Sequence, residues 1–362
     1  MFYLLSKALH SLFALFGVAT LVFFLFTVLP GDPAQMMLDQ NENSEQIKSI
    51  RKKFGFDLPI IDQYFYYLND LSPISFHSLN KNNFSHYDPN VYDPNVYGGK
   101  ILFKKNNNVL ILKSPFFRTS YQKLGKPVNQ IIKETLPNTA ILAISSMIIA
   151  VFIGLLLGII STIYKDQLID RILLLISTLG MSIPSFFSAI LFSWLFGFVL
   201  NSYTQLNMTG SFYELDDLGE THNVMWKNLI LPSIVLGIRP LAVITQLIRN
   251  NLIEVLSQDY IRTAYSKGLS KKQVIFRHAL KNAINPVITA VSGWFASLLA
   301  GSIFVEYIFG WNGLGKEIVE ALNKLDIPVV MGSVIVIAFL FIIINIVVDL
   351  IYTYLDPRIK IT

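Results

Sequence analysis

Apolar residues gather into six long runs along the chain, separated by segments in which polar and charged residues return. The runs are Ala8 to Leu29, Ala140 to Ile160, Ile172 to Leu200, Leu229 to Ile248, Val287 to Val305 and Val329 to Ile351. Each can hold about 20 helical residues, the number needed at 1.5 Å per residue to cross a hydrocarbon core of about 30 Å. The pattern therefore predicts six transmembrane helices. The third run is longer than a straight crossing requires, and Pro184 within it is expected to kink it. The first run follows one lysine, Lys7, exceeds the ~7–15 residues of a signal-peptide core and has no small-x-small cleavage pattern before Pro30. It reads as a retained anchor.

Two of the intervening polar segments are long. The first, 31–134, forms an external lobe between the first two helices. In it Asn43 with Gln46 caps an amphipathic helix, SEQIKSIRKK, that ends near Gly55. Residues 72–113 are rich in Asn, Ser and Tyr and contain the tandem repeat YDPNVYDPNVYGG from Tyr87 to Gly99. Asp-Pro and Pro-Asn steps favour turns, so 72–113 is expected to be an irregular insertion. The second segment, 250–286, divides into two short helices. Asp259 to Lys267 is stopped by Gly268, and Ser270 with Gln273 forms a capping box for the next. On that helix Val274 and His278, Ile275 and Ala279, and Phe276 and Leu280 are i,i+4 pairs beside Lys271, Lys272, Arg277 and Lys281. Pattern and charge alone leave two readings open, a helix resting on anionic lipid and a helix docking on a partner. The resulting organisation is 1–30 for the first helix, 31–134 for the lobe, 135–356 for a core of five transmembrane helices, and 357–362 for a tail.

Composition agrees with this class. Of 362 residues 53% are hydrophobic and 15% charged, against about 25% charged in soluble domains, and the mean hydropathy is +0.51. The fold class is an all-α integral membrane protein. The net charge of +5 is distributed by side. Lys7, Lys165, Arg171, Arg358, Lys360 and the basic 250–286 segment fall on loops of one parity, whereas 201–228 holds Lys227 against Glu214, Asp216, Asp217 and Glu220. The positive-inside rule then places both termini and the basic segment in the cytoplasm, with no reason to invoke nucleic acid. Cysteine is absent, which excludes disulfides, thiolate metal sites and cysteine nucleophiles.

Catalytic patterns are missing. His222 and His278 are isolated, and no HExxH, nucleophile elbow or paired-carboxylate arrangement occurs. GWNGLGKE, Gly310 to Glu317, has P-loop glycine and lysine spacing, but Glu317 stands where Ser or Thr would hold magnesium and no buried strand precedes it. No catalytic residue, metal site or bound cofactor is expected. Polar residues within the runs are the better candidates. Arg239, beside Pro240, either lines a translocation path or makes a structural pair, with Gln246 and Asn345 as further path candidates. Gly154 with Gly158, and Gly293 with Ser297 and Gly301, have the spacing of close helix contacts. The first set reads as packing within the chain and the second as a subunit interface.

The basic segment resembles the EAA loop of ABC-importer permeases, Glu-Ala-Ala, three residues, Gly, nine residues, then Ile-x-Leu-Pro. Arg262, Thr263 and Ala264 stand at the first three positions, Gly268 follows at the right distance, and His278 to Lys281 fill the last four. Ala264, Gly268 and Leu280 match, while the glutamate, isoleucine and proline are replaced. RTAYSKGLS followed by RHALKNAINPV is similar to the dipeptide and oligopeptide permease version. LPGDP at Leu29 to Pro33, FGFDLPIIDQY at Phe54 to Tyr64, ETLPNTAILA at Glu134 to Ala143 and DPRI at Asp356 to Ile359 extend the likeness over most of the chain. The 72–113 insertion has no counterpart in that pattern, and GLGKE resembles the external GLG turn of the same permeases.

This resemblance implies a peptide-importing permease subunit in the bacterial inner membrane. Its partners would be a second homologous permease, two cytoplasmic ATPase subunits carrying ATP and magnesium, and an external solute-binding protein. The coupling contact would use Ala264, Gly268, Leu269, Val274, Phe276 and Leu280, with Arg262 and Arg277 on acidic groups of the ATPase. Nickel or glutathione import is the alternative within the family. An ion-coupled secondary carrier is the alternative outside it, and would call for intramembrane acids or a discontinuous-helix ion site.

Overall fold

The computed structural model describes residues 2–28, 34, 44–80, 83, 85–87, 99–123, 125–215 and 222–355. The motifs at Leu29 to Pro33 and Asp356 to Ile359, the cap at Asn43 and most of the tandem repeat lie outside the described residues. The chain divides into two compact units, 1–134 with 320–338, and 135–319 with 339–362.

In the first unit, α1 (Phe2–Val28) is followed by α2 (Ser44–Phe54) and α3 (Ile60–Leu71). The α2 helix ends where the glycine signal places it, with Gly55 at φ +74°, a conformation that L side chains resist. Ala19, Val22 and Phe23 of α1 bury against Tyr67 of α3 and against Met331 of the last helix. Residues 72–113 correct the expectation of an irregular insertion. They contain β1 (Ile74–Ser78), β2 (Lys100–Lys105) and β3 (Asn108–Leu112), an antiparallel sheet of order β1-β3-β2. Alternation is confined to short stretches, such as buried Val109 and Ile111 in β3, and the turn-rich repeat between β1 and β2 hides it. Lys113 donates to the Asp70 and Ser72 carbonyls, and burial pushes its amine down to about 8.

The second unit is helical apart from a short hairpin of β4 (Tyr213–Leu215) and β5 (His222–Val224). Most of α4 (Val128–Ile163) belongs to it, followed by α5 (Leu168–Ser182), α6 (Ser185–Phe192) and a π-helical turn over Ser193–Val199. Next come α7 (Trp226–Leu256), α8 (Asp259–Ser266) and α9, which runs from Lys271 to Ala283 with a π turn over Val274–Ala279. The chain continues through α10 (Asn285–Gly301), α11 (Ile303–Phe309), α12 (Leu314–Asn323) and α13 (Ile327–Leu355). Four helices are long and apolar enough to cross a membrane, or six if each of two bent pairs counts as one span.

One bent pair corrects the third predicted helix. It does not kink at Pro184; it breaks there, with α5 and the α6 segment meeting at 108°. Proline drives the residue before it out of the helical region, and Ile183 is extended at φ −78°, ψ 129° while its N–H closes α5 on the Leu179 carbonyl. The fifth predicted helix ends at Gly301, and α11 restarts after Ser302. The other bent pair joins α9 to α10 at 52°, so the polar segment runs into an apolar helix with almost no connecting loop.

α7 is the axis of this unit, buried along most of its length. Its approach to α4 depends on the absence of side chains at Gly154 and Gly158. A Cβ on Gly158 would lie 2.7 Å from Ile248 Cγ2 and 2.8 Å from the Thr245 carbonyl oxygen, and one on Gly154 would lie 2.9 Å from Ile244 Cγ2. These two glycines pack within the chain, as their spacing implied. Gly158→Ala is expected to destabilise the purified chain by about 1–3 kcal/mol through overpacking, read as a lowered thermal midpoint in detergent. Gly293→Ala, whose Cβ would meet nothing within 4 Å, should leave the midpoint unchanged. Equal midpoints for both variants would show that the α4–α7 contact is not tight.

Candidate functional site

The α8–α9 pair is built by two caps back to back. At the end of α8, the Gly268 N–H bonds the Tyr265 carbonyl at 2.9 Å and the Leu269 N–H bonds the Ala264 carbonyl at 3.4 Å, the paired bonds of a Schellman ending. Gly268 sits at φ +80° with open space around its Cα. Conformation rather than crowding demands glycine there. Two residues later the Ser270 hydroxyl accepts from the Gln273 N–H, while Gln273 Oε1 accepts from the Ser270 N–H at 3.0 Å. That capping box starts α9 as the sequence predicts.

Burial then sorts the residues expected to dock. Ala264 and Val274 are turned inward, together with Ile261, Ile275, Ala279 and Ala283, into a cluster with Ile244, Ile248 and Leu252 of α7 and Ile159 of α4. These two expected contacts instead fasten the pair to the bundle. On α9, Val274, Ile275 and Ala279 share one buried face within a π turn over Val274–Ala279. Leu269 and Leu280 are half-buried, and Arg262, Gly268, Phe276 and Arg277 are exposed. Two exposed aromatics that sequence reasoning missed, Tyr260 and Tyr265, join Phe276. Their signal was the inward i,i+3 spacing of Ile261 and Ala264, which leaves the residues beside them facing out. The outer surface is thus aromatic with Arg262, Lys267, Lys271, Lys272, Arg277 and Lys281 around it. Arg262 lies only 3.4 Å from Asp259, in an open i,i+3 pair that contributes little.

Polar bonds tie this pair to the neighbouring helix ends. Lys271 Nζ donates to the Ile163 carbonyl at the end of α4 at 3.1 Å, Asn251 of α7 donates to the Ala283 carbonyl at 3.4 Å, and Asn282 donates to the Tyr260 hydroxyl at 2.7 Å. Above them Arg249 of α7 grips Asp170 of α5 through two bonds of 2.7 Å each. Asp170 also accepts from the Ser161 hydroxyl of α4 and from the Asp166 N–H. One carboxylate thereby joins α4, α5 and α7.

A second polar feature opens where α5 and α6 break. Arg239 of α7 faces a cavity of about 60 Å³ with Ser185 and Ser188 of α6 and Ser297 and Gly301 of α10. Arg239 lies near the middle of the apolar α7 and makes no ion pair with any described residue. Gln246 and Asn345 do not line the cavity, and Asn345 is satisfied by its own helix through the Phe341 carbonyl at 2.9 Å. Gly293, Ser297 and Gly301 are exposed along α10, and a Cβ on either glycine would meet nothing within 4 Å. The stripe expected at a subunit interface and the charge expected on a path share Ser297 and Gly301.

The P-loop-like segment has a different purpose. Glu306, fully buried in α11, accepts from the Gly315 N–H at 2.7 Å, the Lys316 N–H at 3.2 Å and the Ser302 hydroxyl at 2.8 Å. Its carboxylate occupies the helix N-terminus that a phosphate would need. A Cβ on Gly313 would lie 2.3 Å from Glu306 Oε2, and one on Gly315 would lie 2.6 Å from Ile303 Cα, which accounts for the glycines of GLG. The Asn138 side chain donates to the Asn312 carbonyl at 2.7 Å, and the Leu314 N–H donates to the Thr139 hydroxyl at 2.8 Å. The ETLPNTAILA motif and the GLG turn are therefore one structural unit. Glu306 was not singled out in the sequence, although a lone acid within IFVEYIFG was visible.

Residues 150–361 match the family described as binding-protein-dependent transport system inner membrane component, and residues 1–80 match its N-terminal companion. The chain is 32% identical to the dipeptide transport system permease protein DppB of Alkalihalophilus pseudofirmus, over 99% of each chain. It is 30% identical to the oligopeptide transport system permease protein AppB of Bacillus subtilis, again over 99% of each. Against the glutathione transport system permease protein GsiC of Salmonella choleraesuis it is 29% identical, over 99% of this chain and 98% of the other.

The Asp170–Arg249 pair yields a quantitative expectation. Asp170→Asn leaves a largely buried guanidinium without its counter-charge and should destabilise the chain by about 3–5 kcal/mol, whereas Asp170→Leu with Arg249→Met should recover most of that. Thermal unfolding of the three proteins in one detergent checks this. A double variant as unstable as Asp170→Asn would mean that the pair contributes more than mutual neutralisation.

Proposed function

The chain belongs to the binding-protein-dependent transport system inner membrane component family, and on that premise we propose its working role: the permease subunit of an ATP-driven importer of dipeptides or oligopeptides. A second, homologous permease completes the pathway. Two cytoplasmic ATPase subunits bind ATP and magnesium and supply the energy, and an external solute-binding protein delivers the peptide. The chain itself performs no chemistry. It lies in the bacterial inner membrane with both termini in the cytoplasm, as the distribution of Lys and Arg favours.

The α8–α9 pair carries this reading. Its outer face offers Tyr260, Tyr265 and Phe276 with basic residues around them, a composition suited to an acidic groove with an apolar floor. Its inner face is fastened to α4 and α7, and α9 continues into α10. Closure of the ATPase dimer would push the pair as a block, and α7 and α10 would move with it. Those two helices carry Arg239, Ser297 and Gly301. Along that face the exposed guanidinium meets a peptide carboxylate or carbonyl, and the second permease covers the open small-residue stripe of α10. A glutathione-like tripeptide is the second reading, favoured by the similarity to a glutathione permease and compatible with the same guanidinium.

Gly268→Val forces a β-branched residue into the left-handed region. In liposomes holding the whole importer it should abolish peptide uptake while ATP hydrolysis continues. Uptake at the unmodified rate would refute the hinge assignment. Arg239→Ala should reduce uptake by about tenfold or more, the order of one lost charge-assisted hydrogen bond, with Arg239→Lys partly restoring it. Unchanged affinity and rate in Arg239→Ala would remove the residue from the path.

A further inference from the structure

In the first unit α3 lies against α1 at a depth that its sequence does not announce. The Tyr64 hydroxyl of α3 shares a 2.7 Å hydrogen bond with the Thr20 hydroxyl of α1, and the Tyr64 ring sits 5.2 Å from each of Phe23 and Phe24. The apolar span of α1 is Leu9–Thr27, so Thr20 lies seven residues inside its end. At 1.5 Å per residue that is about 10 Å below the surface, roughly a third of the way through the hydrocarbon. α3 is amphipathic, and while Tyr67 packs on Phe23, Ile61 and Phe65 at i,i+4 remain 66% and 63% exposed. They continue the open apolar surface of Leu21, Phe24 and Leu25 on α1.

The sheet is attached to the same helix. Asn69 of α3 donates to the Phe76 carbonyl and accepts from the Phe76 N–H, both at 2.8 Å, and Asp70 binds Arg118 Nε at 2.9 Å. Pairing of Ile74 with Leu112, and of Phe76 and Phe103 with Leu110, puts these side chains on one face of the sheet. Phe76 is 67% exposed and Phe103 58%. On the same face of β2, Lys100, paired with Leu112, and Lys105, paired with Asn108, are exposed beside them. An open apolar face edged by lysines is unfavourable in water and matches the boundary between acyl chains and anionic headgroups.

We propose that α3 and the Phe76–Phe103 face of the sheet form an interfacial membrane anchor. Ile61 and Phe65 lie among acyl chains of the leaflet where α1 ends, and Lys100 and Lys105 meet anionic phospholipid headgroups. The occupant is the bilayer itself, because the apolar face is continuous with the lipid-facing side of α1. The inference does not depend on what the chain transports.

The cysteine-free chain suits single spin labels. Ile61→Cys, Phe65→Cys and Phe103→Cys would each be labelled in the full-length protein and reconstituted in phosphatidylethanolamine–phosphatidylglycerol vesicles. Relaxation by lipid-soluble oxygen should exceed relaxation by an aqueous nickel chelate severalfold at Phe65 and Ile61, and to a smaller degree at Phe103. In phosphatidylcholine alone the Phe103 label should shift toward the nickel chelate while the Phe65 label holds. Stronger relaxation by the nickel chelate at all three sites would overturn the proposal, as would shielding from both reagents, the signature of a covering protein or second copy. An unchanged Phe103 label in phosphatidylcholine would remove the lysine contact with anionic headgroups. Thermal unfolding of each labelled protein, compared with the parent, separates misfolding from exposure.

Discussion

A polar group inside an apolar helical bundle has no water to turn to, so the chain must satisfy it internally or leave it facing a cavity. Much of the second unit follows from that constraint. Asp170 and Arg249 neutralise each other and draw Ser161 and the Asp166 N–H into the same knot. Glu306 is caged by two backbone N–H groups and a hydroxyl, and Asn138 is spent on the Asn312 carbonyl. Asp170 with Arg249, and Asn138 with Asn312, join elements distant in sequence, whereas Glu306 ties α11 to the start of α12. Arg239 is the contrasting case, a charge at mid-helix that no described residue pairs. The buried Ser233 and Ser333 hydroxyls also lack a partner among the described residues, but Arg239 alone of these three carries a full charge, for which the absence of a partner is most costly.

The α8–α9 pair is a stiff, short element. A Schellman ending and a capping box, separated by two residues, leave little slack between α8 and α9. The α9–α10 bend of 52° adds no flexible connection. Displacing the outer face of the pair must therefore move the apolar cluster of Ile244, Ile248 and Leu252 beneath it. Packed interfaces of this kind respond by switching between arrangements rather than by yielding continuously.

The readable parts of the sequence were those where a local rule decides. Apolar run length located the helices, Gly268 and Ser270 announced their caps, and Gly154 with Gly158 announced a close approach. The unreadable parts were decided by tertiary context. Proline predicts a distortion at Pro184 but not whether it becomes a bend or a 108° break, because that depends on what each half packs against. Val274 was expected at the docking contact because the resemblance names a segment rather than a face, and it lies inside because Val274, Ile275 and Ala279 together pack on α7 and α4. Strands of five and six residues separated by a turn-rich repeat left too little alternation to outweigh a loop reading. Glu306 is an isolated acid in sequence, and its partners at Ser302, Gly315 and Lys316 converge only after α11 and α12 fold together.

The placement of Arg239 constrains where the polar centre can change. Its recess, about 60 Å³, is bordered by the α5–α6 break and by Ser297 and Gly301 of α10, and the side chain itself is exposed. Gly293, Ser297 and Gly301 leave the neighbouring face of α10 open, with no side chain of the described residues filling it. A mid-helix charge beside an unfilled face gains most from a partner that covers both. Under the proposed role that partner is a second permease or a peptide, and only a ligand with different affinities for two arrangements shifts the population between them.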